Sequence, residues 1–172
     1  MNGNTMQKIK DHIREQEEII RKLLDDIYDP EIPVISITDL GIVRDIKVIS
    51  EGMSTKGIIT ITPTYSGCPA MDVIAMQIRM SLLQNGYNNI EVKQQLSPAW
   101  TTDWMTEKGK EKLKAYGIAP PTGMIKDTND TVQCPHCNSK NTTLLSQFGS
   151  TACKALYKCN DCLEPFDYFK CH

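Results

Sequence analysis

Nowhere does this chain of 172 residues carry an apolar run near the roughly 20 residues that a membrane-spanning helix needs. It also lacks an excess of either charge. Its 19 Lys and Arg face 21 Asp and Glu, a net of −2, so neither nucleic acid nor a membrane surface is indicated as a partner. No Glu-x-x-His pair of the di-iron helical bundles occurs, and no Gly-rich dinucleotide fingerprint. The first 31 residues are densely charged and show no signal-peptide pattern. Seven cysteines are therefore not read as a secreted disulfide framework, and a cytoplasmic protein is expected.

What the chain does have is cysteine in pairs. Cys134-Pro135-His136-Cys137 and Cys159-Asn160-Asp161-Cys162 are two Cys-x-x-Cys turns with 21 residues between them. Two such turns set face to face bring four thiolates to the corners of a tetrahedron, the geometry of a structural zinc site. Rubredoxin-like iron or an iron-sulfur cluster is the alternative, and a redox pair a further one. Cys153, Cys171 and His172 are possible additional metal ligands, and Cys153, Cys159, Cys162 and Cys171 make a second conceivable four-sulfur set.

Hydrophobic residues, 40 % of the chain, suffice for one ordinary core plus a small module. Residues 7–28 place Ile9, Ile13, Ile20, Leu24 and Ile27 at helical spacing, ending before Asp29-Pro30. Residues 42–49 and 57–62 are rich in β-branched side chains and read as a hairpin; 69–83 is a second helix with Gly86 to stop it, and 89–96 alternates as a half-buried strand. This α-β-β-α-β order predicts an α+β fold, a compact two-layer domain over 1–97. Residues 98–131 form a tryptophan-containing helical segment and linker. Its Trp100 and Trp104 are expected to pack back on the first domain, with presentation to a partner as the alternative. A zinc-ribbon-like metal-binding module fills 132–172.

The remaining cysteine, Cys68, precedes Pro69. With Pro69 as the first helical residue, Cys68 is expected at the N-cap, where free amide N–H groups lower a thiol's pKa and suit it to attack or to hold a soft metal. A buried cysteine serving as a small apolar residue is the plainer alternative. No histidine lies near it in sequence, which disfavours a nucleophilic enzyme. Asp29 and Glu31 flank Pro30 in a stiff loop, either as carboxylates that join a thiolate on iron or as ordinary solvated charges.

At these positions the chain resembles a known family. Asp29-Pro30-Glu31-Ile32-Pro33, Asp39-Leu40-Gly41-Ile42-Val43, Thr62-Pro63-Thr64 and Gly67-Cys68-Pro69 are similar to the small domain of the SufT-like iron-sulfur assembly proteins. The blocks at 97–104, 115–121, 148–157 and 164–171, among them Ser97-Pro98-Ala99-Trp100 and Phe148-Gly149-Ser150-Thr151-Ala152-Cys153, resemble the PaaD family of phenylacetyl-CoA epoxidase systems. The likeness runs from about residue 20 to the C-terminus.

The resemblance implies an accessory role in aerobic phenylacetate catabolism, assisting iron-sulfur or metal-centre maturation. In such systems another subunit holds the di-iron site, and a reductase with flavin and a [2Fe-2S] cluster supplies electrons. The other epoxidase subunits, the reductase above all, are then the expected partners. Carried over by position, Cys68 is a transient iron or cluster ligand with Glu31 as helper, and Cys134, Cys137, Cys159 and Cys162 hold structural metal. A metal-stabilised adaptor without a metal-transfer role is the alternative. Where many knuckles have Gly after the second cysteine this chain has Asn138 and Leu163, and Leu tolerates left-handed angles poorly.

Overall fold

The computed structural model describes residues 3–51, 54–121 and 132–170. The fold is α+β. α1 (Gly3–Asp25) buries Ile20 and Leu24 completely. Its apolar stripe meets the core only from Ile13 onward, and Ile9, expected on that stripe, is 44 % exposed. The attachment to the sheet begins at mid-helix, where Gln16 Oε1 accepts from the Tyr87 hydroxyl at 2.8 Å and Glu17 Oε1 from the Val48 N–H at 3.2 Å.

β1 (Val43–Glu51) and β2 (Ser54–Ile61) pair antiparallel, with Val48 opposite Gly57. Residues 52 and 53 of the expected turn lie outside the described residues. α2 (Ala70–Gln84) crosses over to β3 (Ile90–Gln94), which runs parallel to β2 with Val92 opposite Ile59. Ala70, Met71, Ile74, Ile78 and Leu82 recur every three to four residues on α2 and form its buried face.

The stretch between α1 and β1 is held by its own polar groups. Asp29 Oδ1 accepts the amide N–H of Glu31 at 2.8 Å and of Ile32 at 2.9 Å, an Asx turn that fixes where the Glu31 side chain starts. At the far end Gly41 has φ +75°, and a Cβ there would lie 2.3 Å from the Trp104 carbonyl oxygen. Only glycine satisfies both the angle and the approach.

The tryptophan segment folds back, as its apolar weight predicts. Trp100 is 2 % exposed, and its Nε1–H donates to the Leu40 carbonyl at 3.0 Å. Trp104, in a short 3₁₀ turn (Thr102–Trp104), lies beneath the Arg44 guanidinium at 3.4 Å from the ring centre. α3 (Glu107–Ala115) is capped by Thr106, whose hydroxyl accepts the Gly109 N–H and donates to Asp39 Oδ1. Lys112 Nζ reaches Asp39 Oδ2 at 2.7 Å. Burial alone pushes the Asp39 carboxyl up, but these two donors and the Lys112 charge outweigh it and hold the group below its ordinary range.

The second sheet has the order β4 (Ile118–Ala119), β7 (Pro165–Phe169), β6 (Lys154–Cys159), β5 (Thr142–Ser146), parallel at β4–β7 and antiparallel elsewhere. It therefore reaches back across residues 122–131, where the expected linker lies outside the described residues, to take its edge strand from the end of α3. Alternation along β7 divides its side chains. Tyr168 enters the small core of this sheet with Ala119, Val132 and Phe166, whereas Phe169 enters the core of the first domain. There the Phe169 ring meets Trp100 edge-on, centroids 5.9 Å apart at 74°.

Candidate metal centres

The first centre lies between the two Cys-x-x-Cys turns. The sulfurs of Cys134, Cys137, Cys159 and Cys162 all lie within 4.8 Å of one another, with Cys134 to Cys162 at 3.8 Å and Cys137 to Cys159 at 3.5 Å. Metal–sulfur bonds of about 2.3 Å in a regular tetrahedron set sulfur–sulfur edges of about 3.8 Å, so these residues fit one four-coordinate ion. The sequence arranges them locally. Cys134 N–H bonds the Ser139 carbonyl and Asn138 N–H the Cys134 carbonyl, closing the first knuckle. Asp161 accepts from the Ser139 hydroxyl and, at 2.8 Å, from Asn141 Nδ2, tying the second knuckle to the first. The amide N–H of Cys162 approaches Cys159 Sγ at 3.5 Å and holds that thiol down to about 7. Asn138 and Leu163 stand at φ 63° and 68°, so Leu163 takes the left-handed angle that leucine disfavours, with its side chain 65 % exposed.

The second centre lies where the two domains touch. Cys153, in the turn before β6, is 4 % exposed; its Sγ lies 3.9 Å from Glu31 Oε2 and 3.0 Å from Thr151 Oγ1. Tyr65 and Cys68 are half-buried against the same core, and the Tyr65 hydroxyl bonds the Cys68 thiol. Asp29 is buried beside Glu31, and one buried cation stands by them, Lys154, whose Nζ pairs with Asp167 at 3.4 Å. Charges of one sign dominate, with the expected result. Burial first and the Asp29 charge second push the Glu31 carboxyl up, and burial followed by Glu31 and Asp29 pushes the Cys153 thiol up to about 11. An open cavity of about 410 Å³ adjoins the group, lined by Pro63, Thr64, Tyr65 and Ser66 on one side and Phe148 and Ala152 on the other.

Three expectations are corrected here. Pro69, with φ −69° and ψ −20°, is itself the N-cap of α2, and Cys68 stands one position before it. The Cys68 thiol is raised, not lowered: burial is the largest cause and the Glu31 charge adds to it, against a lowering hydrogen bond from the Ala70 N–H. A thiol held protonated is a poor nucleophile, and a cation would reverse the balance. Third, Cys153 is no partner of Cys159 and Cys162, because six residues of extended chain put about 20 Å between it and Cys159. Cys171 and His172 lie outside the described residues. Glu31 and Cys68, far apart in the sequence, do come within each other's field. Sequence reasoning missed Tyr65 and Lys154; the only available signal was the spacing Tyr65-x-x-Cys68.

Two family models match the chain: one described as the PaaD zinc beta ribbon domain over residues 119–170, the other as an iron-sulfur cluster assembly protein over 17–93. An Escherichia coli K12 protein named as one component of a "Putative 1,2-phenylacetyl-CoA epoxidase" is 51 % identical over 168 residues, spanning 96 % of this chain and 99 % of its own. A "Fe-S protein maturation auxiliary factor" of Porphyromonas gingivalis is 33 % identical over 59 % of this chain and 92 % of its own. In structure, a domain of unknown function from Bacillus anthracis is similar with a TM-score of 0.54 at 28 % identity, covering 59 % of this chain and 94 % of that one.

Proposed function

Since this chain belongs to the PaaD family, we propose that it is a cytoplasmic accessory subunit of a phenylacetyl-CoA epoxidase system, holding iron or an iron-sulfur cluster transiently at Cys68 for delivery to another component. The observation that carries this reading is the half-buried Cys68 thiol in the field of Glu31 and Asp29, an anionic, sulfur-bearing pocket that a cation would neutralise. The maturation role named for the Porphyromonas gingivalis relative supports it, as does the iron-sulfur cluster assembly match over residues 17–93, a stretch that contains Cys68. The four-cysteine knuckles hold zinc, which when bound supplies folding energy and leaves no open position for chemistry. No helix among the described residues is long and apolar enough to cross a membrane.

The test is Cys68→Ser in the chromosomal copy, followed by growth on phenylacetate and by iron and labile sulfide content of the purified reductase component. Cluster content should fall at unchanged reductase protein level. Full cluster content with normal growth would refute the delivery role. A second reading, an adaptor that only holds the subunits together, is favoured by one feature. Val73, Met76, Met80 and Leu83 form an exposed apolar stripe along α2, between 39 and 58 % exposed. That reading predicts that Cys68→Ser is silent and that Met76→Glu together with Met80→Glu abolishes co-purification of the other subunits.

A further inference from the structure

Two thiols and a carboxylate from distant parts of the chain share the boundary between the domains. Glu31 comes from the Asx turn after α1, Cys68 from the residue before the α2 cap, and Cys153 from the second domain. Cys153, in the turn before β6, is held there by the end of β7. Its neighbour Phe169 is anchored in the first domain against Trp100, and Lys170 N–H bonds the Cys153 carbonyl at 3.0 Å. The sulfur then lies 3.9 Å from Glu31 Oε2. The Tyr65 hydroxyl senses all three groups: burial first, then Cys68, Glu31 and Cys153, push it up to about 12. The cavity beside them is lined from both domains, by Tyr65 and Ser66 of the first and Phe148 and Ala152 of the second, so incoming cargo meets both at once.

We propose that Cys153 is a cargo ligand contributed by the ribbon, which makes the iron site a composite of Cys68, Glu31 and Cys153 spanning the two domains. The inference rests on the delivery reading of Cys68 given above and adds a donor from a part of the chain that the iron-sulfur assembly model, residues 17–93, does not contain. The donor set is chemically apt: two soft thiolates and one carboxylate suit iron, and each thiol gives its proton to water as its sulfur bonds the metal, with no change of oxidation state. Among the described residues only the four knuckle cysteines converge within 4.8 Å of one another.

The experiment uses the full chain with its ribbon metal retained. Wild type, Cys68→Ala, Cys153→Ala and Cys153→Ser are incubated without oxygen with ferrous iron, in parallel with and without sulfide, and desalted. Iron per chain, knuckle metal per chain and the visible spectrum are then measured. We expect wild type to retain iron with sulfur-to-iron charge-transfer bands, Cys68→Ala to lose it, and Cys153→Ala to retain it at least about tenfold more weakly. Cys153→Ser, which keeps the volume, should shift the bands, a change that a purely structural role for Cys153 would not produce. Retention in the sulfide arm alone assigns the cargo as a cluster, and retention in both arms assigns iron itself. If both Cys153 variants match wild type in iron and spectrum while Cys68→Ala loses its iron, the composite site is overturned and the delivery reading stands. If wild type and Cys68→Ala retain equally little, the delivery reading falls and this inference with it. Knuckle metal at wild-type level certifies that each variant is folded, and Cys153→Ser decides alone should Cys153→Ala fail that criterion.

Discussion

Removing the Phe169 ring should uncouple the two domains. Phe169 is 1 % exposed, and although it belongs to β7 of the ribbon its neighbours are those of the first domain's core. A fully buried Phe→Ala change costs about 3–5 kcal/mol in lost transfer energy and cavity formation, with the edge-on contact to Trp100 contributing about 0.5–1.5 kcal/mol of that total. For a chain of this size each kcal/mol moves the melting temperature by about 2–4 °C, so Phe169→Ala should lower it by about 6–20 °C. The assay is thermal unfolding followed by tryptophan fluorescence. Trp100 lies under the lost ring and Trp104 beneath Arg44, so both fluorophores report on the first domain and its boundary. Phe148→Ala is the internal control: it deletes the same ring from the same ribbon at a position 64 % exposed and should stay within about 0.5 kcal/mol of wild type. Equal melting temperatures for Phe169→Ala and wild type, with unchanged Trp emission, would refute the shared core and with it the setting of the composite site.

Leu163→Gly should stabilise the ribbon by up to about 1 kcal/mol, because glycine relieves the cost of φ 68° at an exposed side chain; slower metal loss to a chelator is the readout, and faster loss would contradict it. Gly41→Ala combines a left-handed angle, about 1–2 kcal/mol, with a Cβ driven into the Trp104 backbone, about 1–3 kcal/mol more, whereas Gly86→Ala has the same kind of angle and nothing within 4 Å. Urea midpoints for the two should therefore differ clearly, and coincident midpoints would remove the clash from the account. Asp39→Asn should cost about 1–3 kcal/mol at pH 7. Its carboxyl is held below the ordinary 3.8, so its contribution is fully present above that value and disappears as pH falls through the lower folded value. The gap between wild type and variant should accordingly close on acidification toward pH 3, and a gap that widens would reverse the assignment.

The parts of this molecule legible in the sequence are those set by local periodicity or short spacing. The order of α1 through β3 and the convergence of Cys134, Cys137, Cys159 and Cys162 each depend on neighbours within a turn or two, or on a metal-ligand spacing with few geometric solutions, whereas the return of the tryptophan segment was legible only from its apolar weight, its contacts with Leu40 and Phe169 being distant in the chain. Ile9 and Cys153 were not legible for one shared reason. Helical phase says that Ile9 faces the same side as Ile20 but not where the sheet beneath begins, and the spacing of Cys153 from Cys159 says nothing of what lies at the opposite end of β6. Cys68 failed differently: the helix-terminus argument was sound in kind, since the Ala70 N–H does lower the thiol, but burial and the Glu31 charge were larger and came from residues far off in the chain.

Residues 94–118 fall between the two matched family stretches, and they are the ones that join the domains. Trp100 and Met105 fill the first core, Leu113 of α3 joins them, and β4 then straddles the boundary, Ile118 still buried in that core and Ala119 in the core of the ribbon whose edge strand it forms. The ribbon is thus docked twice, by β4 through the chain and by Phe169 through the core, and two attachments far apart in sequence fix an orientation that one would leave free. That orientation determines where β6 points. One end of β6 carries Cys159, a knuckle sulfur, and the residue before its other end is Cys153, held against Glu31. A ribbon that served only as a solubilising tail would have no physical need for this double attachment, whereas a ribbon that must present one sulfur at a site in its neighbour needs both.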